Sequence, residues 1–87
     1  MTDRDIQARL HRIAAGIAGP SRAPADPGPD TPLGESGYWL DSIDIVEVVL
    51  ACEREFGITF DGEAELAPET LGSICAFANL IAAKLSG

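Results

Sequence analysis

Ser42 is the residue whose type and position could do chemistry in this chain. It follows Asp41, and both are polar residues suited to the start of a helix, while Gly57 suits the left-handed position after a helix end. We therefore predict a helix over 42–57. A hydroxyl at a helix N-terminus is exposed, and a phosphate ester on it would lie where free N–H groups and the helix dipole favour negative charge. The same position also fits a plain N-cap worth about 1 kcal/mol, and the residue alone leaves both interpretations open.

Other chemistry has little support in the sequence. The Gly-x-Ser-x-Gly motif is absent, and the single histidine, His11, lies on a different predicted helix and off its apolar stripe, so we expect it to be a solvated surface residue. The two cysteines, Cys52 and Cys75, form neither a Cys-x-x-Cys pair nor a metal-ligand set, so we expect buried thiols. A bridge between them stays open if their helices face each other. We expect no catalytic residue and no metal site.

The predicted central helix has two apolar sides. One side is the core stripe, with Val48 at its flank, and consists of Ile45, Val49, Cys52 and Phe56. The other side combines Ile43 and Leu50 with Glu47 and Arg54. Apolar residues on a second side are expected where a surface is to be covered by something else.

The rest of the chain predicts helices that pack around this one. A first helix over 1–18, capped by Thr2 or Asp3 and ended by Gly19-Pro20, carries an apolar stripe of Ile6, Leu10, Ile13 and Ile17. The segment 19–41 is a long loop with five prolines between 20 and 32, and we expect Leu33, Tyr38, Trp39 and Leu40 to pin its second half to the bundle. A connector over 58–72 includes a buried Ile58 and Phe60 and a single helical turn at 63–67. A last helix over 73–85, capped by Thr70 or Ser73, buries Ile74, Phe77, Ile81 and Leu85.

Length and composition fit one all-α domain over 1–87. The sequence has 46% hydrophobic but only 6% aromatic residues, which favours a helical bundle built from Ile, Leu, Val and Ala. We predict a four-helix bundle of three main helices and one short helix, with a long first loop. Neither an apolar run of transmembrane length nor a secretory leader is present, so we expect a cytoplasmic monomer that does not bind membranes.

The net charge of −8 is unevenly distributed. Residues 26–69 contain twelve acids and a single base, Arg54, whereas residues 1–23 carry a net +2. The acidic region surrounds Ser42. Such a surface repels nucleic acid and anionic lipid and attracts basic protein patches, although acidity also serves solubility.

The sequence around Ser42 resembles the acyl carrier protein family. Residues 41–44 read Asp-Ser-Ile-Asp, 46–50 read Val-Glu-Val-Val-Leu and 53–58 read Glu-Arg-Glu-Phe-Gly-Ile, as in that family. The preceding Glu35-Ser36-Gly37 is similar too, but Tyr38-Trp39 makes the spacer one residue longer than usual. The likeness covers about 33–85.

The resemblance implies a function. It places a 4′-phosphopantetheine arm on Ser42, with Asp41 beside the attachment site, loaded from coenzyme A by a phosphopantetheinyl transferase. Partner enzymes, such as an acyltransferase or ligase and a ketosynthase, would dock on Ile43, Asp44, Glu47 and Leu50. We expect a free-standing carrier of polyketide or nonribosomal-peptide type. The alternatives are a carrier of fatty-acid synthesis and a non-carrying acidic helical interaction module.

Overall fold

The computed structural model describes residues 2–61 and 68–86. The regular secondary structure of these residues is all α-helical, as predicted. The helices are α1 (Asp3–Ala18), α2 (Ser42–Phe56), a single turn α3 (Pro68–Leu71) and α4 (Ile74–Ser86). The predicted helical turn at 63–67 lies outside the described residues. No helix of the described part is long and apolar enough to cross a membrane.

Local signals in the sequence set the helix ends. Thr2 caps α1 through a capping box with Asp5, and Gly19 ends it with φ 81°. Gly57 takes the left-handed conformation after α2, with φ 66° and ψ 38°, as its position predicted. Ser73 caps α4 by accepting a hydrogen bond from the Ala76 amide at 3.0 Å.

α1 is the central wall, because it packs against both α2 and α4. Its buried residues recur every four positions and are Ile6, Leu10, Ala14 and Ala18. Ile13 and Ile17 of the predicted stripe pack against the core but are only partly buried, and the buried positions in this half of the helix are Ala14 and Ala18. Alanine faces the core there, and its small side chain allows the backbones of neighbouring helices to approach.

The core is closed by residues of α2, α4 and the loops. From α2 come Val48 and Cys52, both fully buried, and Phe56. Phe60 packs on Phe77 of α4 with ring centroids 5.5 Å apart, which agrees with its predicted role as a plug. Leu85 is 41% exposed, so its predicted place in the core was wrong.

The second half of the long loop is fastened to the start of α4. The carbonyls of Thr31 and Pro29 accept hydrogen bonds from the Ile74 and Cys75 amides at 2.9 and 2.8 Å. These amides belong to the first turn of α4, where no helical partner exists. Leu33 is fully buried beside this contact. The loop that leads to α2 is therefore fixed to the start of α4.

Candidate functional site

Ser42 is the first residue of α2, and its side chain is exposed. The helix is capped by its neighbour, because the Asp41 carboxylate accepts a hydrogen bond from the Asp44 amide at 2.9 Å. Asp44 returns the bond by accepting from the Asp41 amide at 3.3 Å, which completes a capping box. Ser42 is thus not the N-cap, and the plain capping interpretation of this serine was wrong.

The surroundings of the Ser42 hydroxyl suit a phosphate ester. The Ser42 and Ile43 amides belong to the first four of the helix, which have no acceptor within it, and the first intrahelical bond runs from the Ile45 amide to the Asp41 carbonyl at 2.9 Å. An anion esterified to Ser42 would lie beside these N–H groups and the positive end of the helix dipole. The residues present therefore fit a phosphate-linked group.

An exposed apolar strip runs along α2 away from Ser42. Ile43 is 71% exposed, Val46 56% and Leu50 51%. Glu47 lies exposed among them, and Leu50 and Glu47 border a shallow groove whose other walls are Ile17, Ala51 and Arg54. Val46 was missed from the sequence, although its spacing of three and four residues from Ile43 and Leu50 places it on the same side. We call Ile43, Val46 and Leu50 the exposed strip.

Asp44 is only partly exposed. Its side chain is only 16% exposed and forms an ion pair with Arg22, whose Nη1 lies 2.8 Å from its Oδ2. The hydrogen bond from Arg22, supported by the Asp41 amide, holds the pKa of the Asp44 carboxyl below its ordinary value. Asp44 is thus less exposed than Glu47, the exposed acid beside the strip, and its place at the edge of the docking face stays a prediction.

Arg22 reaches three parts of the chain from the proline-rich loop. Its Nε and Nη2 donate to the Ala18 and Ile17 carbonyls of α1 at 2.9 and 3.2 Å. Its Nη1 donates both to Asp44 and, at 3.3 Å, to the Trp39 carbonyl. The planar guanidinium presents donors in a fixed fork, so it can serve several acceptors at once.

The turn just before α2 exposes a tryptophan. Trp39 is 55% exposed and has φ 58°, a left-handed conformation that costs a residue with a side chain of the order of 1–3 kcal/mol. Its amide donates to the Gly34 carbonyl at 2.8 Å. The prediction that Trp39 pins the loop to the bundle was wrong. Tyr38 and Leu40, which were predicted with it, are buried.

Gly37 is required by the tightness of the same turn. It is buried against Pro32, and a Cβ at position 37 would overlap the Pro32 carbonyl. The Tyr38 amide donates to that carbonyl at 3.1 Å, and the Leu40 amide donates to the Leu33 carbonyl at 3.0 Å. The backbone from 32 to 40 is thus folded back on itself before Ser42.

His11 is not a free surface residue, contrary to the prediction. Its Nδ1 is hydrogen-bonded to the Tyr38 hydroxyl at 2.5 Å, across 27 positions of sequence. Partial burial lowers the pKa of His11 and raises the pKa of Tyr38. A neutral imidazole can accept a hydrogen bond from the Tyr38 hydroxyl in this contact, so the pair supports the turn that leads to α2.

Neither metal nor thiol chemistry is indicated in the part of the chain that the structure describes. No group of His, Cys, Asp or Glu side chains there is arranged to hold a metal ion. Cys52 and Cys75 are both free, Cys52 fully buried and Cys75 partly so.

Comparison with known proteins identifies one family. The model of the family described as "Phosphopantetheine attachment site" matches residues 8–78 of the 87. The searches of curated proteins and of solved structures gave no significant match.

Proposed function

We propose that this chain, which belongs to the phosphopantetheine attachment site family, holds its arm on Ser42. Domains of this family are attachment sites for covalent 4′-phosphopantetheine, and the chain is accordingly a carrier protein. The observation that carries the choice of residue is the free, exposed hydroxyl at the first position of α2, next to an Asp41 that already caps the helix.

The residues around Ser42 have distinct roles in this proposal. In the loading reaction the Ser42 oxygen would give its proton to a base of the transferase and form the new phosphorus–oxygen bond, while the pyrophosphate bond of coenzyme A breaks and adenosine 3′,5′-bisphosphate leaves. Asp41 and Asp44 keep the helix start in place, and the first amides of α2 would lie beside the phosphate. The bound group supplies a terminal thiol that holds acyl or aminoacyl cargo as a thioester.

The chain is proposed to do no catalysis itself, as is typical of the family. Such carriers work with a phosphopantetheinyl transferase and with acyl-processing enzymes. We assign this one to polyketide or nonribosomal-peptide biosynthesis, with an acyltransferase or ligase and a ketosynthase as partners. The proline-rich loop and the spacer lengthened by Tyr38-Trp39 favour this assignment over fatty-acid synthesis.

Partner enzymes are proposed to dock on the exposed strip and Glu47. The strip offers apolar contact next to Ser42, and its surroundings are acidic, since residues 26–69 carry twelve acids against Arg54 alone. An acidic rim around an apolar centre suits a partner surface with basic groups around an apolar pocket.

Intact mass after incubation with coenzyme A, Mg²⁺ and a permissive transferase tests the attachment. We expect the wild-type chain to gain one phosphopantetheine and Ser42→Ala to gain none. Because Asp41 supplies the cap, Ser42→Ala should change the free energy of unfolding by less than about 0.5 kcal/mol.

The matched control is Ser21→Ala, which removes an exposed hydroxyl in the proline-rich loop and should be loaded like the wild type. Loading of Ser42→Ala would place the arm elsewhere. A wild-type chain that gains no mass would instead favour the non-carrying interaction module.

A further inference from the structure

Arg22 holds the chain on both sides of Ser42. The same nitrogen, Nη1, donates to the Trp39 carbonyl at 3.3 Å and to the Asp44 carboxylate at 2.8 Å. Ser42 lies between these two contacts in the sequence. The hydroxyl is therefore carried by a short segment whose two ends share one guanidinium.

That guanidinium is itself fixed to a rigid element. Its other nitrogens, Nε and Nη2, donate to the Ala18 and Ile17 carbonyls in the last turn of α1. Basic groups near the last carbonyls of a helix are favoured by the helix dipole. The position of Ser42 is thus fixed relative to α1, the helix that packs on both α2 and α4.

The segment held in this way has reasons to move if released. Trp39 has a left-handed backbone that a residue with a side chain rarely adopts, so its peptide needs neighbours that hold it. Asp44 belongs to the capping box, so the group that fixes its carboxylate also fixes the first turn of α2. Loss of Arg22 would loosen both ends of the segment at once.

We infer that Arg22 is a positioning residue for the loading reaction, because it sets the place of the Ser42 hydroxyl through Trp39 and Asp44. The inference rests on the proposed attachment at Ser42. A transferase must align this oxygen with a phosphorus atom, and misplacement of a reacting group by about 1 Å can cost a hundredfold in rate. Only Ile43 of the exposed strip lies within the held segment, and Val46 and Leu50 follow it, so partner binding should be less affected than the chemical step.

The test is the steady-state rate of loading, followed by intact mass, with the concentration of the carrier varied. For Arg22→Gln we expect kcat to fall about ten- to a hundredfold, with KM within about twofold of the wild type. Arg22→Lys keeps the charge opposite Asp44 but lacks the fork, so its kcat should also fall, though less. Amide exchange of the unloaded chain should become faster at 40–44 in both variants.

Arg12→Gln is the matched control. Arg12 is an α1 arginine whose Nη2 lies 3.5 Å from the Glu55 carboxylate on the exposed surface, away from Ser42. The Arg12→Gln variant loses one positive charge and one ion pair, as Arg22→Gln does, and should load at the wild-type rate.

The outcomes separate this inference from the proposed attachment. Loading of Arg22→Gln with wild-type kcat, or with a raised KM alone, would overturn the positioning role while leaving Ser42 as the attachment residue. Loading of Ser42→Ala would overturn the attachment, whatever Arg22 does. Should Arg22→Gln fail to fold, Arg22→Lys decides, and a wild-type kcat in that folded variant would equally overturn the inference.

Discussion

The two apolar faces of α2 have similar residues and opposite surroundings. Val48 and Cys52 are fully buried. Val46 lies two positions before Val48 and Leu50 two positions before Cys52, yet both are more than half exposed. The buried face lies in the core formed with α1, whereas Leu50 on the other face only borders a shallow groove beside Ile17 of α1. Apolar character alone therefore does not determine burial. A contiguous apolar strip left in water next to Ser42 is the feature expected of a recognition surface.

The largest expected effect of burial on one face of α2 is the low reactivity of its thiol, Cys52. Burial, together with the nearby Glu55 carboxylate, raises the pKa of Cys52 to about 12. At pH 8 its thiolate fraction is then about a thousandfold below that of an ordinary thiol with a pKa of about 8.5. In the folded Cys75→Ala variant we expect alkylation of Cys52 to be slower by at least that factor than in urea.

The control for this measurement is Cys52→Ala, which retains the partly buried Cys75. Its alkylation in the folded state should be the faster of the two. Equal rates for the two single-cysteine variants would mean that the face carrying Cys52 is open to solvent. The two faces of α2 would then not differ in burial.

A pair of identical substitutions sharpens the contrast in stability. Val48→Ala removes two methyl groups from a fully buried site and leaves a cavity, so it should lower the free energy of unfolding by about 2 kcal/mol. Val46→Ala removes the same groups from a side chain that is 56% exposed and should stay within about 0.5 kcal/mol of the wild type. Urea denaturation followed by circular dichroism gives both values, and similar losses would contradict the assignment of the faces.

The smallest effects on folding and the clearest on binding are expected at Leu50 and Glu47. Leu50→Glu removes apolar contact from the exposed strip, so dissociation of a partner enzyme should become about tenfold faster or more, with little change in stability. Glu47→Lys should instead slow association and flatten its dependence on salt, because exposed charges act chiefly by steering. Surface plasmon resonance at several salt concentrations separates the two rates.

Two results would count against this division of roles. Unfolding of Leu50→Glu would make Leu50 a core residue. Normal binding and acylation of the double variant by its own partners would place the docking face elsewhere on the molecule.

Much of the fold was predictable because its signals are local. Helix ends are marked by contacts within a few residues, which the sequence displays directly. Examples are the capping box of Thr2 with Asp5, the cap by Ser73 and the left-handed Gly57. The resemblance around Ser42 is local too, and the match over 8–78 confirms the family to which it pointed. Helical periodicity predicted the exposed positions of Ile43 and Leu50. The same periodicity could have predicted the exposed position of Val46.

The remaining features depend on contacts between distant positions. The partner of Asp44 is 22 residues away, and that of His11 is 27 residues away. Periodicity reports which face is apolar but not how closely two helices approach, so Ala14 was passed over in favour of Ile13. The outward direction of Trp39 depends on a left-handed backbone that its residue type disfavours.

The capping of α2 by Asp41 has a consequence for the life of the protein before it is loaded. Under the proposed attachment, the oxygen that is esterified takes no part in holding the helix start, so loading adds to the stability of the fold only the interaction of the phosphate with the helix dipole, about 0.3–1 kcal/mol. The unloaded chain lacks that contribution but keeps its helix cap. Unmodified chains therefore stay folded, and resist proteolysis, while they wait for the transferase.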